Sequence, residues 1–422
     1  MTTNGATIAK RPSGARGVVA ATLGNALEWF DLVIYSSFAP IIGKVFFPAH
    51  DPAISLLIAL GTFGGSYLIR PLGAVVIGSY ADRVGRKSAL LVTTALMMAG
   101  TGMIVAAPGY ATIGIAAPAI IIAARLIQGF SAGGEFASAT AFLAEQNPDR
   151  RAFYSSWQFA SQGLTMLLAA GFGAGLSFLL TPVQLYQWGW RVPFAFGLLI
   201  GPAALYIRRS VQESPQFTEI TPDIAPLKDA FFNQKINMIL ALGSVILATV
   251  AMYTLLYMPT YAAVTLQIDG ASPFTANIAV GVGLVVLTPI AGLLADKMGC
   301  VAVALPAAAV LVFLPLPLFF WLTKSPSAMA LLFAESLLAI PVAFYLGAIP
   351  ALLTDLFPAR VRTTGMSLSY NLAVMLFGGF APFFITWAIA TLGFRPAPGL
   401  YLALAASLSL VTLTIVQRRR VR

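Results

Sequence analysis

Gly78-Ser79-Tyr80-Ala81-Asp82-Arg83-Val84-Gly85-Arg86-Lys87 is a short charged turn set between two long apolar runs, and it returns in reduced form 214 positions later. The second copy, Gly292-Leu293-Leu294-Ala295-Asp296-Lys297-Met298-Gly299, keeps the Gly-x-x-x-Asp-basic-x-Gly skeleton, and 214 is close to half of the 422 residues. A second pair holds the register. Glu145, Pro148 and Arg150 recur as Asp355, Pro358 and Arg360 at an offset of 210. Matching charged hairpins at matching places in each half indicate a duplicated unit.

Composition says what kind of unit this is. The chain is 59% hydrophobic and only 9% charged, whereas a soluble domain carries about a quarter of its residues as charges. Its solvent is therefore lipid. A bilayer-spanning helix needs about 20 apolar residues, and twelve such runs are present, at 17–42, 54–80, 88–107, 113–144, 153–180, 190–207, 236–264, 273–295, 300–323, 327–354, 363–392 and 398–416. The expected fold is an all-α membrane protein with twelve transmembrane helices in two pseudo-symmetric six-helix bundles. Residues 1–16 form a tail, 17–207 and 236–417 the two bundles, 208–235 a Pro-rich linker, and 418–422 a basic tail. Paired repeats of apolar helices are the architecture of secondary transporters.

The formal net charge of +10 would suit a nucleic-acid partner if it formed a patch. It does not. With both termini cytoplasmic, 19 of the 25 Lys and Arg fall on inside segments and four on outside loops, while Arg70 and Arg125 lie within spans. Basic residues so distributed report topology, not nucleic acid. Cys300 and His50 are each alone, so neither an internal disulfide nor a His-based metal site is expected. The first apolar run is too long for a signal peptide and carries Glu28 and Asp31, so it is expected to be a retained helix.

Charges inside the spans need a reason. Even lenient scales put one at the bilayer centre at about 2.5–3.5 kcal/mol. Glu28, Asp31 and Tyr35 fall within about 60° of one another on span one, and Arg125, Gln128 and Glu135 within about 80° on span four. Gln158 and Gln162 share a face of span five. These faces converge on a polar cavity in the N-terminal half. Arg125 is the expected grip for a carboxylate, since a guanidinium can bind it bidentately; the alternative is an Arg125 ion pair to Asp31 or Glu28 that staples helices together. Asp31, Glu28 and Glu135 are the expected proton carriers. In the C-terminal half the one charge away from the span ends is Glu335, at the register position of Arg125. Neutral groups there, Tyr253, Tyr257, Asn277, Tyr345 and Asn371, are expected to line the cavity, although each equally suits packing. Asp82, Arg83, Arg86, Arg150, Arg151, Asp296 and Arg360 in the hairpins are expected to latch the cytoplasmic side.

The hairpin resembles that of the major facilitator superfamily, and the resemblance extends over essentially the whole chain. More narrowly, the chain is similar to the metabolite:proton symporters of bacterial inner membranes. The stretches that carry this are Gly24-Asn25-Ala26-Leu27-Glu28-Trp29-Phe30-Asp31, Arg70-Pro71-Leu72-Gly73-Ala74, Arg125 to Glu135, Phe153 to Gln158, Trp188 to Pro193 and Phe357 to Arg362. Phe46 to Ala49, Phe377 to Pro382 and Ala397 to Gly399 look most like the citrate and tricarboxylate branch, whereas Gly133 to Thr140 is closer to the 2-oxoglutarate carriers. The resemblance implies alternating access, a monomer in the inner membrane, no cofactor, and uptake of an organic acid with protons as the coupling ion. It also implies Arg125 as a substrate group and Glu28 and Asp31 as proton groups. One departure stands out: Gly299-Cys300-Val301 replaces the usual basic residues of the second hairpin, so a weaker C-terminal latch is expected.

Rival classes fare less well. No nucleophile–base pair or metal cluster supports an enzyme, and only the 208–235 linker could serve a receptor's effector. A channel would lack saturable, gradient-dependent uptake. Within transporters, span five lacks the Gly-Pro-x-x-Gly-Gly pattern of antiporters, while zwitterions such as proline or betaine and monocarboxylates stay open as cargo.

Overall fold

Apolar runs of this length have one way to satisfy their backbone in lipid, the α-helix, and the chain takes it throughout. The computed structural model describes residues 14–84, 86–210, 233–358 and 361–421, and no strand occurs among them. Most of the linker, most of the N-terminal tail, and Arg360 lie outside the described residues. So do the side chains of Glu28, Asp82, Arg83 and Arg86.

Nine helices among the described residues are long and apolar enough to cross a membrane, or ten with the bent pair that makes up span one. Spans three (Arg86–Ala106) and six (Arg191–Ser210) complete the twelve. Large apolar side chains such as Phe178, Leu199, Phe313 and Met329 point outward. Polar ones, Arg125 and Gln128 among them, are buried inside. That inversion is the mark of a protein dissolved in lipid.

Several spans expected to be continuous are broken. Span one runs as Gly14–Ser37 and Ala39–Phe46, bent by 72° at Phe38. Pro40 opens the second piece, where its missing N–H costs nothing. Span two divides into Pro52–Gly65 and Arg70–Val84, and its entry is capped by the Asp51 carboxylate, which accepts from Ala53 N at 2.8 Å. Span four breaks into Ala116–Ser131, a 3₁₀ turn Ala132–Gly134, and Glu135–Glu145. Tertiary packing explains where the last two break. A Cβ at Gly129 would strike the Ser66 carbonyl, and one at Gly133 the Arg70 carbonyl, so the two broken segments are nested into each other. The expected arc from Arg125 to Glu135 assumed one continuous helix, and a 3₁₀ turn intervenes between the two residues.

The two halves meet at every depth. Spans five (Arg151–Leu179) and eight (Ser272–Met298) run antiparallel along the seam. There a Cβ on Gly163 would lie 2.6 Å from Leu284 Cβ, and one on Gly281 2.8 Å from Leu167 N. Small residues at this seam let the backbones approach closely. At the end opposite the hairpins, Thr260 donates across the halves to the Ser36 carbonyl at 3.0 Å, and Phe38 packs on Phe274.

Candidate functional site

Four spans bring their polar side chains to one buried point in the N-terminal half. Arg125 and Gln128 project from span four, Asp31 from span one, Thr101 from span three and Ser66 from the break in span two; all are buried. Arg125 Nη1 donates to Gln128 Oε1 at 2.8 Å, and its Nη2 reaches Ser66 Oγ at 3.4 Å. Gln128 Nε2 in turn points at Thr101 Oγ1, 3.1 Å away, and Asp31 Oδ2, 3.4 Å away. Thr101 donates its hydroxyl to the same Asp31 oxygen.

The expected alternative, an Arg125–Asp31 staple, is therefore absent: an amide stands between guanidinium and carboxylate. Gln128 can do this because it has a donor and an acceptor on one planar group. Both charges keep an unused face. Arg125 Nε and Asp31 Oδ1 have no hydrogen-bond partner. Glycines make the room, since a Cβ on Gly197 of span six would sit 2.7 Å from Asp31 Oδ1, and one on Gly100 would crowd Gln128 Cγ at 2.6 Å.

Aromatic rings form the other wall. The Arg125 guanidinium lies 4.5 Å from the Tyr35 ring and 5.1 Å from Phe63. Phe63 and Tyr67 then meet Tyr253 of span seven (Lys235–Val264) edge-on at 6.0 and 5.4 Å, and Trp29 approaches Tyr253 at 5.9 Å. Through Tyr253 the C-terminal half reaches this cluster.

The remaining candidates are dispersed. Gln158 forms a separate buried pair with Asn25, donating to its Oδ1 at 3.0 Å, while Asn25 Nδ2 donates to Ser161 Oγ at 2.6 Å. Gln162 is buried with neither amide atom bonded. Tyr257 pairs with Thr386 at 2.7 Å, Tyr345 donates to the Ser244 carbonyl, and Asn277 to the Leu255 carbonyl. Asn371 donates at 2.5 Å to the Gly133 carbonyl, in the 3₁₀ turn of span four. Glu135 is half-buried beside that break. Glu335 is fully buried, and neither carboxyl oxygen has a hydrogen-bond partner.

At the hairpin end the contacts run between halves. Asp296 accepts from Ala152 N at 2.8 Å and Phe153 N at 3.0 Å, capping the start of span five. Arg151 pairs with Asp355 at 2.8 Å, and Arg362 approaches Glu145 at 3.8 Å; the Asp82 side chain, an expected partner of Arg150 or Arg151, lies outside the described residues. Arg150 is exposed. Asp296 needs no basic neighbour, because its partner is a helix N-terminus.

Sequence reasoning passed over Thr101, Ser66 and Asn25. Serines and threonines inside helices mostly bond back to their own turn, which leaves nothing in the sequence to mark the few that reach a neighbour. Asn25 had a signal, its place three residues before Glu28.

The profile of the Major Facilitator Superfamily matches residues 21–382. A citrate-proton symporter of Klebsiella pneumoniae is 35% identical over 413 residues, covering 96% of this chain and 93% of its own. A proline/betaine transporter of Salmonella typhimurium is 32% identical, covering 94% and 82%. The xylose transporter XylE from E. coli, in a partially occluded inward-open conformation, superposes with a TM-score of 0.72 at 16% identity, covering 96% and 97% of the two chains.

Proposed function

The chain belongs to the Major Facilitator Superfamily of membrane transporters, and on that premise we propose that it is a proton-coupled symporter importing an organic acid by alternating access. The observation that carries this is the Asp31–Gln128–Arg125 relay, in which a carboxylate and a guanidinium are linked through one amide and each keeps an unbonded face. An incoming carboxylate takes the free edge of Arg125 and draws the guanidinium from Gln128. Asp31 then loses its electrostatic support. Desolvation favours the neutral form of a carboxyl and a nearby guanidinium the charged form, so occupancy of Arg125 and protonation of Asp31 go together.

Membrane potential makes that coupling necessary. Moving a trivalent anion into a negative-inside cell costs about 7 kcal/mol per 100 mV. Protons that enter with it offset the charge. The hairpin end, where the basic residues gather, is the cytoplasmic side of a bacterial inner membrane in this reading, with both termini there and the two bundles at 17–207 and 236–417. Asp296, Arg151, Asp355, Glu145 and Arg362 latch that side, together with Asp82, Arg83, Arg86 and Arg360. Glu28 and Glu135 are secondary proton candidates.

Citrate or another di- or tricarboxylate is the favoured cargo, in line with the citrate-proton symporter relative. A zwitterion such as betaine is the second reading. The proline/betaine relative and the rings of Tyr35, Phe63, Tyr67 and Tyr253 favour it, because aromatic faces attract quaternary ammonium groups.

Uptake of labelled citrate, succinate, lactate, proline and betaine into proteoliposomes under an imposed pH gradient tests the reading. Asp31→Asn is expected to abolish accumulation above equilibrium while preserving exchange of internal for external substrate, which moves no net proton. Uphill accumulation with normal proton dependence in Asp31→Asn would transfer the proton role to Glu28 or Glu135.

A further inference from the structure

Gln162 of span five stands outside the Asp31–Gln128–Arg125 relay. Its side chain is fully buried, and neither Oε1 nor Nε2 has a hydrogen-bond partner. A primary amide brings two donors and an acceptor with two lone pairs. Burying one unanswered costs free energy, and a native protein that does so needs a reason.

The residues around Gln162 show where it faces. One turn before it, Gln158 is bonded to Asn25 of span one, and three residues after it Thr165 donates to the Ala26 carbonyl at 2.8 Å. The adjacent Gly163 packs on Leu284 and Gly281 of span eight. At 100° per residue Gln162 falls between those two faces. Its amide is thus directed into the angle between span one of one half and span eight of the other. Phe159 lies on the same side and meets Phe136 at 5.8 Å, and Phe136 stacks on Tyr370 of span eleven (Arg362–Leu392) at 3.6 Å.

Two more unbonded oxygens lie near this depth. One is Gln158 Oε1. The other is Oγ1 of Thr288 on span eight, a fully buried side chain. Thr288 is bracketed along the seam. Four residues before it, Leu284 sits against Gly163; four after it, a Cβ on Gly292 would lie 2.7 Å from the Ala152 carbonyl and 2.8 Å from Ser156 Oγ. Thr288 is therefore level with Gln158. Spans one and five are both odd-numbered and run the same way, so Trp29, one turn beyond Asn25, is level with Gln162, one turn beyond Gln158. Trp29 meets Tyr253, whose ring contacts Phe63 beside Arg125. One chain of contacts between the halves joins the amide to the guanidinium.

We propose that Gln162 is a specificity residue for a hydroxyl on the cargo, so that the transported acid is a hydroxy acid. This rests on the organic-acid reading above and narrows it. Ionised carboxylates only accept hydrogen bonds, so a second carboxylate would satisfy Nε2 and leave Oε1 unanswered. An alcohol both donates and accepts, and one such group answers both ends of the amide. Betaine, with a carboxylate and no donor, leaves Gln162 Oε1 unanswered as well.

A competing account makes Gln162 a conformational lock, whose amide finds a partner across the seam once the halves have moved. The experiment has to separate the two. Purified full-length chain in proteoliposomes is assayed for the half-saturation constants of two pairs of acids that differ by one hydroxyl, malate with succinate and citrate with tricarballylate. Wild type is expected to favour the hydroxy acid of each pair by at least about tenfold, because the analogue without the hydroxyl leaves buried polar groups unpaired. Gln162→Met keeps the length of the side chain and removes its polar atoms. It is expected to narrow the preference to within about threefold, by weakening malate and citrate while succinate and tricarballylate stay within about twofold. Gln162→Asn should restore part of the preference.

Wild type that treats the members of each pair alike overturns the inference, whether or not the variants fold. A Gln162→Met carrier with its preference intact does the same. Equal weakening of all four acids, with a shifted inward–outward population by cysteine labelling, assigns Gln162 to a lock instead. Wild type that carries none of the four acids but carries proline or betaine refutes the organic-acid reading, and this inference with it; that result is a loss of acid transport rather than a loss of discrimination.

Discussion

The two halves descend from one repeat but hold their interiors together by different chemistry. In the N-terminal half, Asp31, Arg70 and Arg125 are buried together with an amide and two hydroxyls between or beside them. In the C-terminal half the corresponding depth is held by neutral bonds: Tyr345 to the Ser244 carbonyl, Tyr257 to Thr386, and Ser409 to the Gly243 carbonyl. Its one buried acid among the described residues, Glu335, stands at the register position of Arg125 and has no hydrogen-bond partner. Duplication preserved the helices because lipid constrains every backbone alike. The charges were free to diverge, because their role depends on a few side chains meeting at one point. One half can then carry the ionic chemistry while the other acts as a neutral wall that closes over it.

The largest effect is expected where that division is sharpest. Arg125→Ala and Arg125→Lys should both lower substrate uptake on the order of a hundredfold at equal protein in the membrane, since a point charge does not replace a bidentate fork in a dry site. Wild-type affinity in the Lys variant would reduce Arg125 to a helix staple.

A middling effect should come from the seam between the halves. Asp296→Asn removes a charged cap from the start of span five, worth about 0.5–2 kcal/mol, and should shift the inward–outward population by roughly two- to thirtyfold. Cysteine labelling from either side of the membrane would read this shift, and loss of substrate affinity with unchanged labelling would remove Asp296 from the latch.

The smallest effect is expected from the residue that most threatens the comparison. Glu335→Gln should leave gradient-driven accumulation within about twofold, and should stabilise the folded carrier by removing an ionisable group from a dry site. If Glu335→Gln stops accumulation while exchange persists, the C-terminal half shares the proton chemistry and the contrast fails.

Much of this is legible in the residues alone, and the reason is the cost of charge in lipid. With 9% charged residues in 422, each acid or base inside an apolar run stands out. Asp31, Arg125 and Gln128 can therefore be named, and helical periodicity places their faces. The repeated hairpin identifies the duplication, and hence the two-bundle architecture, because chance rarely sets the same Gly-x-x-x-Asp-basic-x-Gly turn between apolar spans twice, half a chain apart. Periodicity fails at breaks. The arc joining Arg125 to Glu135 assumes an unbroken helix, and a 3₁₀ turn at Ala132–Gly134 interrupts that helix.

Tertiary structure alone decided which polar groups meet. Nothing local distinguishes Thr101, which reaches Asp31 from another span, from the threonines that bond only to their own turn. Gln158 reads as a cavity residue and is tied to Asn25, a partner 133 positions away. Asp296 reads as half of a charged latch and instead caps a helix from the opposite half, because its geometric neighbour is a row of free N–H groups rather than a basic side chain. The sequence by itself determined where charge is costly, and so which residues to name as candidates. Only packing over long sequence separations determined how those charges are paired, since a pairing is a property of two spans and is written in neither one.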